Sequence, residues 1–197
     1  MARSHASLRV LTDPRPPPVL PSAVLGMLIF VITEAMLFAG LISAFLIVRA
    51  QAMGAWPPSD QPRLPVEETA LNTAALLLSG FLVWRARRVF AEVPSAALRP
   101  LSWAMGLGAF FVLFQGYEWV SMIGQGLTLT SSNHGSFFYL IVGLHALHAV
   151  AGLAVLGSAW WRLRSGFLAE SRLAAAQVFW LFVVGMWPLL YALVYTA

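Results

Sequence analysis

Residues 23–48 read AVLGMLIFVITEAMLFAGLISAFLIV, a stretch in which Glu34 is the only ionisable side chain. About 20 apolar residues in a helix cross the hydrocarbon core of a bilayer, so this segment is long enough to span a membrane. Its apolar residues surround the helix instead of forming one stripe, as expected for a helix immersed in lipid. The segment therefore predicts a transmembrane helix with a carboxyl group near its middle.

Four further stretches have the length and apolar character of a membrane span: residues 69–89, 98–123, 135–161 and 173–196. Proline-, glycine- or serine-containing segments that favour turns separate several of them. The sequence thus predicts an all-α integral membrane bundle of five transmembrane helices, forming one domain over residues 21–197. Residues 1–20, which include Pro16-Pro17-Pro18, are predicted to be a flexible tail.

Composition excludes several classes of protein. Charged residues make up only 10% of the chain and hydrophobic residues 59%, whereas about 25% of a soluble domain is charged. A soluble fold of this length buries only about 70% of its surface and could not hide so much apolar area. The absence of cysteine excludes disulfides, thiolate metal sites and iron–sulfur clusters.

The net charge of +4 comes from twelve arginines and eight acids. Because the arginines lie at the ends of apolar runs, they indicate membrane topology and not nucleic-acid binding. Ten fall in the tail, in the second connection with its flanks and in the fourth connection, whereas the first and third connections hold only two, Arg49 and Arg63. The positive-inside rule then predicts the N-terminus inside and the C-terminus outside.

Ionisable groups at membrane depth are costly to insert, so each is a candidate functional residue. Glu34 has two interpretations: it handles protons or organises a lipid or partner contact, or it is a protonated carboxyl bridging two helices. Gln115 and Glu118 are three residues apart and share a helix face, which predicts hydrogen bonds to another helix.

His145 and His148 also share a face, in GLHALH at 143–148. One helix does not supply both axial ligands of a haem, and a zinc or copper site needs further ligands. Of the other histidines, His5 lies in the tail and His134 is expected at the surface. The pair is therefore predicted to be packed and hydrogen-bonded between helices, without metal. No span contains an aspartate and no glycine-rich phosphate loop occurs, so no catalytic residues are predicted.

Several motifs together carry a resemblance to a known family. They are, in chain order, GMLIFVITEAMLFAG at 26–40, NT at 72–73 with LLLSG at 76–80, LFQGYEW at 113–119, GSFF at 135–138, and GLHALH with Gly152. Each is similar to a segment of subunit III of the haem–copper cytochrome oxidases, and their order is the same. The intramembrane polar residues within these motifs are Glu34, Asn72, Gln115, Glu118, His145 and His148.

The resemblance implies a non-catalytic accessory subunit of a terminal oxidase in aerobic respiration. Such a subunit stabilises the catalytic subunit and supports proton uptake. It implies subunits I and II as partners, with haem and copper in those partners and no cofactor or metal on this chain. Bound phospholipid and a location in the bacterial cytoplasmic (inner) membrane are further expectations. The length resembles the short five-helix bacterial form of the family.

One departure from the family pattern keeps alternatives open. The last helix of the family usually carries Trp-His-Phe-x-Asp, where this chain has WLFVV at 180–184. A subunit III-like companion of a nitric oxide reductase or another respiratory complex is therefore a second hypothesis. A third is a stand-alone proton channel or transporter that uses Glu34 and Glu118.

Overall fold

The structure is a computed structural model that describes residues 19–52, 56, 62, 64 and 66–195. The described part of the chain contains helices and no strand. Its five α-helices, each long and apolar enough to cross a membrane, are α1 (Ser22–Gln51), α2 (Val66–Glu92), α3 (Leu98–Gly124), α4 (Asn133–Arg164) and α5 (Glu170–Leu190). The chain is thus a multi-pass membrane protein, and the predicted all-α bundle of five helices is confirmed. The inside–outside orientation stays a prediction, and residues 1–18 of the predicted tail lie outside the described residues.

The helix ends follow from local sequence chemistry. Ser132 caps the start of α4, because its side-chain oxygen accepts a hydrogen bond of 3.0 Å from the Gly135 amide, which satisfies one of the free N–H groups of a helix start. Gly126 and Gly166 follow the ends of α3 and α4 with φ of +95° and +77°. This left-handed backbone conformation is accessible to glycine at little cost.

Two short segments of different helical geometry lie beside the main helices. A 3₁₀-helix, Pro94–Ala97, connects α2 to α3. A π-helix, Tyr191–Tyr195, continues α5 and begins three residues after Pro188, which lies in the last turn of α5. Because proline has no N–H to donate, it interrupts the regular ladder of hydrogen bonds just before the geometry changes.

Four of the helices form a closely packed core, and α1 packs against one side of it. Helices α2, α3, α4 and α5 pack against one another around the main cluster of buried side chains. Helix α1 packs mainly against α5 and to a lesser extent against α4. Phe38 and Phe45 are its two fully buried residues. We refer to the first region as the four-helix core and to the contact of α1 with α4 and α5 as the α1 seam.

Trp180 of α5 is the side chain that holds the four-helix core together. Its indole ring lies between Gly108 of α3 and Gly152 of α4, so closely that a Cβ atom on either glycine would stand 2.7 Å from a ring carbon. Its Nε1 donates a hydrogen bond of 3.0 Å to Ser79 Oγ of α2. Ser79 in turn donates to the Ala104 carbonyl of α3. This one tryptophan of α5 therefore contacts the other three helices of the core.

Candidate functional site

The helices gather most of the predicted intramembrane polar residues into two groups. Glu34 and His148 form one, which we name the Glu34–His148 pair. Glu118 and Gln115 form the other, with two residues that the sequence did not single out, Thr69 and Tyr195; we name these four the Glu118 cluster. The pair lies on the α1 seam, and the cluster lies inside the four-helix core.

In the Glu34–His148 pair, an acid on α1 contacts an imidazole on α4. Glu34 Oε2 lies 3.0 Å from His148 Nε2. The other ring nitrogen, Nδ1, lies 2.7 Å from the carbonyl oxygen of Leu144, one turn earlier on α4. Both nitrogens of His148 are thus engaged, which confirms the predicted hydrogen bonding of this histidine between helices.

This geometry assigns one proton to Nδ1 of His148 and a second proton to the contact between His148 and Glu34. A carbonyl oxygen only accepts hydrogen bonds, so Nδ1 carries a proton and donates it to Leu144. The 3.0 Å contact on the other side then requires one proton between Nε2 and Glu34. That proton belongs either to a neutral carboxyl group or to an imidazolium paired with a carboxylate. Both arrangements are electrically neutral as a pair, which lowers the cost of placing them at membrane depth.

Aromatic side chains surround the pair. The rings of Phe38, Phe179 and Phe182 lie 5.5, 6.3 and 6.4 Å from the His148 ring, each in an edge-on orientation. The Glu34 side chain nevertheless keeps 18% of its surface accessible. The pair is therefore enclosed on the protein side and open at the edge of α1.

The Glu118 cluster joins three helices. Thr69 Oγ1 of α2 lies 3.1 and 3.2 Å from the two carboxyl oxygens of Glu118. Gln115 Nε2 of α3 donates to Glu118 Oε2 and to Tyr195 Oη, each at 2.8 Å. Glu118 is only 5% exposed. The predicted hydrogen bonds from the Gln115–Glu118 face to other helices are confirmed.

His145 and Asn72 lie in the four-helix core outside both groups. The His145 ring stacks on the Trp187 indole with centroids 5.0 Å apart and meets Phe38 and Phe111 edge-on. Asn72 Nδ2 donates to the Phe111 carbonyl at 3.2 Å. Both residues are buried, so His145 is packed between helices as predicted, whereas its Nε2 has no hydrogen-bond partner among the described residues.

Two members of the Glu118 cluster, Thr69 and Tyr195, are absent from the residues predicted from the sequence. The topology of five successive membrane spans could have pointed to these two residues. Successive helices of a bundle alternate in direction, so the start of α2, the end of α3 and the end of α5 lie at the same side of the membrane. Polar residues at those three ends share a depth with Glu118 and become candidates for its partners.

The expectation that His134 lies at the surface is wrong. It is 2% exposed, because Trp56 from the first connection covers it, with ring centroids 5.4 Å apart and planes at 88°. Trp56 also meets Phe45 edge-on at 5.8 Å. A tryptophan in a connecting segment thus buries the first turn of α4.

Leu181 and Val184 stand where the family pattern has histidine and aspartate, and they differ in burial. Val184, where the family pattern has aspartate, is buried, and its Cγ1 atom lies 2.8 Å from where a Cβ of Gly80 would be. Leu181, where the pattern has histidine, is 37% exposed. An apolar contact between α2 and α5 therefore stands at the position of the usual acid.

The geometry defines a class: a five-helix membrane protein whose intramembrane acids and imidazoles are bonded or stacked between its own helices. Within the described residues, no three His, Cys, Asp or Glu side chains are grouped so as to hold a metal ion.

Comparison with known proteins identifies the family. Over residues 16–197 the chain matches the sequence model of the family Cytochrome c oxidase subunit III. It is 34% identical over 176 residues to a Nocardia farcinica protein named "Probable cytochrome c oxidase subunit 3", covering 86% of this chain and 85% of the relative. The "Cytochrome c oxidase subunit 3" of Synechocystis sp. is 31% identical over 177 residues, or 86% and 73% of the two chains. That of Gadus morhua is 32% identical over 188 residues, or 91% and 71%.

The chain therefore belongs to the cytochrome c oxidase subunit III family, and it is a subunit of an oxidase complex with a respiratory role. The resemblance predicted from the motifs is confirmed, and the relatives include bacterial proteins.

Proposed function

We propose that this chain is the non-catalytic accessory subunit of a haem–copper terminal oxidase in a bacterial cytoplasmic membrane. In this role it packs beside the catalytic subunit I together with subunit II, stabilises them and supports proton uptake. Haem and copper lie in the partner subunits, and phospholipid binds at the surface of this chain.

The observation that carries the proposal is that the two intramembrane histidines, His145 and His148, are engaged by other residues of this chain. Both ring nitrogens of His148 are engaged by Glu34 and Leu144, and His145 is stacked on Trp187. Histidines that are bonded or stacked in this way hold the helices of the bundle together. A Glu34–His148 pair with an accessible edge also holds a proton at membrane depth, which suits a subunit that supports proton movement in its neighbour.

The proposal is tested by isolating the chain with its partners. The tagged chain is purified from its native membrane in a mild detergent, and mass spectrometry and a reduced-minus-oxidised spectrum are recorded. We expect oxidase subunits to co-purify, with haem absorption that disappears when they are stripped away. A colourless preparation of this chain alone in several detergents, with proton flux in liposomes, would favour a stand-alone channel. A nitric oxide reductase catalytic subunit in the preparation would change the partner.

A variant separates the accessory role from a structural necessity. Glu34→Gln keeps a side chain of the same shape next to His148 but removes the carboxyl group. We expect the complex to assemble with its full haem content, with changes confined to proton uptake and to the number of turnovers before inactivation. Thr33→Val, on the adjacent exposed position of α1, is the matched control. Complete loss of haem in Glu34→Gln would contradict a peripheral role.

A further inference from the structure

A cavity lies between α1, α4 and α5, at the end of the α1 seam where arginines gather. Its volume is about 360 Å³, and its lining includes Met27 of α1, Val155, Ser158 and Arg162 of α4, and Arg172 of α5. Ser158, Arg162 and Arg172 are exposed, so the cavity is open at the level of the charged side chains. A cavity of this size with polar groups in its lining has room for water.

The helix faces that line this cavity carry the Glu34–His148 pair further along the seam. Met27 precedes Glu34 by seven residues on α1, and Val155 follows His148 by seven residues on α4. Seven residues make two helical turns, about 10 Å, and return to nearly the same face. The cavity and the pair thus lie on the same seam at neighbouring depths. Neither Glu34 nor His148 is among the described residues that line the cavity.

Phe179 of α5 lies between the cavity and the pair. The centroid of its ring is 5.7 Å from that of Phe30 on α1 and 6.3 Å from that of His148 on α4. One of its ring carbons is also 3.9 Å from where a Cβ of Gly152 would be, one turn from His148 on the cavity side. Phe179 itself is only 4% exposed. One buried ring therefore closes the seam against both neighbouring helices.

An aromatic plug of this kind opposes the movement of a proton. Proton exchange between a buried group and water needs a chain of hydrogen-bonding groups, and a phenylalanine ring has no donor or acceptor to contribute to it. The Glu34 side chain keeps 18% of its surface accessible, although it does not line the cavity. The exposed edge of the pair therefore faces a different part of the surroundings from the cavity.

We propose that Phe179 and Phe30 form a hydrophobic seal between this cavity and the Glu34–His148 pair. The pair then exchanges its proton through the exposed edge of Glu34, toward whatever covers that side of α1 in the complex, and not through the cavity. The inference deepens the support of proton uptake in the proposed function and rests on it in that respect. The seal itself does not depend on which respiratory subunits surround the chain.

The test is the access of a charged, membrane-impermeant thiol reagent to single introduced cysteines, since the chain has no cysteine of its own. Sealed vesicles of native membrane that carry the tagged complex are treated with sulfonatoethyl methanethiosulfonate, and the labelling rate is measured by mass spectrometry. Ser158→Cys reports on the cavity and shows from which side of the membrane it is reached. Glu34→Cys reports on the position of the pair and is probed from that same side.

We expect Ser158→Cys to react quickly and Glu34→Cys slowly. Adding Phe179→Ala to Glu34→Cys should raise the labelling rate about tenfold or more, because the charged reagent no longer has to pass a buried aromatic ring. Phe179→Leu should restore much of the protection. Phe182→Ala is the matched control and should leave the rate nearly unchanged. The Phe182 ring is also near His148, at 6.4 Å, but lies one turn further along α5 from the cavity.

A second variant and a direct readout of the proton complete the test. Phe30→Ala, at a position 42% exposed, opens the seal from the α1 side and serves where the Phe179→Ala complex does not assemble. With Glu34 retained, hydrogen–deuterium exchange of the Glu34–His148 pair is followed by infrared spectroscopy. We expect faster exchange in Phe30→Ala than in the unmodified chain, a change that a merely structural role of the ring would not produce.

Four results would overturn the proposal. The first is equal labelling of Ser158→Cys and Glu34→Cys with both rings in place. The second is a Glu34→Cys rate that neither Phe179→Ala nor Phe30→Ala changes. The third is equal acceleration by Phe182→Ala, which indicates general loosening of α5. The fourth is a Ser158→Cys that reacts from neither side, because the cavity is then not open to water. Co-purification of haem is scored separately, so failure of the seal and failure of the accessory role are distinguishable.

Discussion

The two acidic residues inside this membrane protein lie in different surroundings. Glu118 is buried in the four-helix core and bonded to side chains of α2 and α3, while Gln115 extends the same group to Tyr195 after α5. Glu34 lies on the α1 seam, has one side-chain partner at 3.0 Å and keeps part of its surface accessible. The same chemical group therefore cross-links helices in one region and stays available to the surroundings in the other.

The comparison teaches which polar groups in this bundle are structural. In lipid, apolar contacts alone do not drive helices together, so close packing and interhelical hydrogen bonds hold the four-helix core. The α1 seam has the Glu34–His148 pair and edge-on aromatic contacts, such as Phe30 with Phe179 at 5.7 Å. Substitutions should therefore be costly in the core and mild at the seam.

The largest effect is expected for Trp180→Ala in the four-helix core. The change leaves a cavity between Gly108 and Gly152 and removes the hydrogen bond to Ser79, and loss of a buried tryptophan costs about 3–5 kcal/mol. Reversible unfolding in SDS, followed by far-UV circular dichroism, measures it. Trp103→Ala, at a position 70% exposed on α3, should change the free energy of unfolding by only about 0.5 kcal/mol. Equal effects of the two changes would contradict the role of Trp180.

The next effect is expected for Glu118→Leu. The leucine removes the carboxyl oxygens to which Thr69 and Gln115 donate, and the loss of these buried hydrogen bonds costs about 1–3 kcal/mol. Glu118→Gln keeps one acceptor oxygen and should recover much of that loss. The same SDS unfolding measurement compares them. If the leucine variant were as stable as the glutamine variant, the cluster would not be a cross-link.

A smaller effect is expected for the Glu34–His148 pair. A double-mutant cycle with Glu34→Gln and His148→Phe isolates the coupling between the two side chains. Interhelical hydrogen bonds in membranes average about 0.6 kcal/mol and reach about 1.7 kcal/mol, so we expect a coupling energy in that range. A coupling larger than the whole cost of Glu118→Leu would reverse the comparison between the two regions.

The smallest effect is expected for Thr33→Val on the exposed side of α1. The Thr33 hydroxyl donates only to the Phe30 carbonyl of its own helix, at 2.7 Å. Its removal should change the free energy of unfolding by less than about 0.5 kcal/mol. A larger loss would indicate that a partner in the complex contacts this face.

Much of the fold could be predicted from the sequence, since the length of an apolar run and the thickness of a bilayer decide the number of helices. The Gln115–Glu118 face could be predicted because it depends on helical spacing alone. The pairing of Glu34 with His148 could not, because it depends on which helices become neighbours. The burial of His134 was missed for a similar reason, since the position of Trp56 depends on how a connecting segment folds back.

The distance along the chain between Glu34 and His148 has a consequence for biosynthesis. The two residues are 114 positions apart, so at a synthesis rate of about 5–20 residues per second His148 is made roughly 6–23 s after Glu34. For most of that interval α1 is complete and long enough to enter the membrane, while α4 is incomplete and α5, its main partner, has not been made. By contrast, α2 and α3 are consecutive in the chain and pack against each other. The first helix is therefore the one made longest before its packing partners. Glu34 must be accommodated by the insertion machinery or the lipid before His148 is available to pair with it.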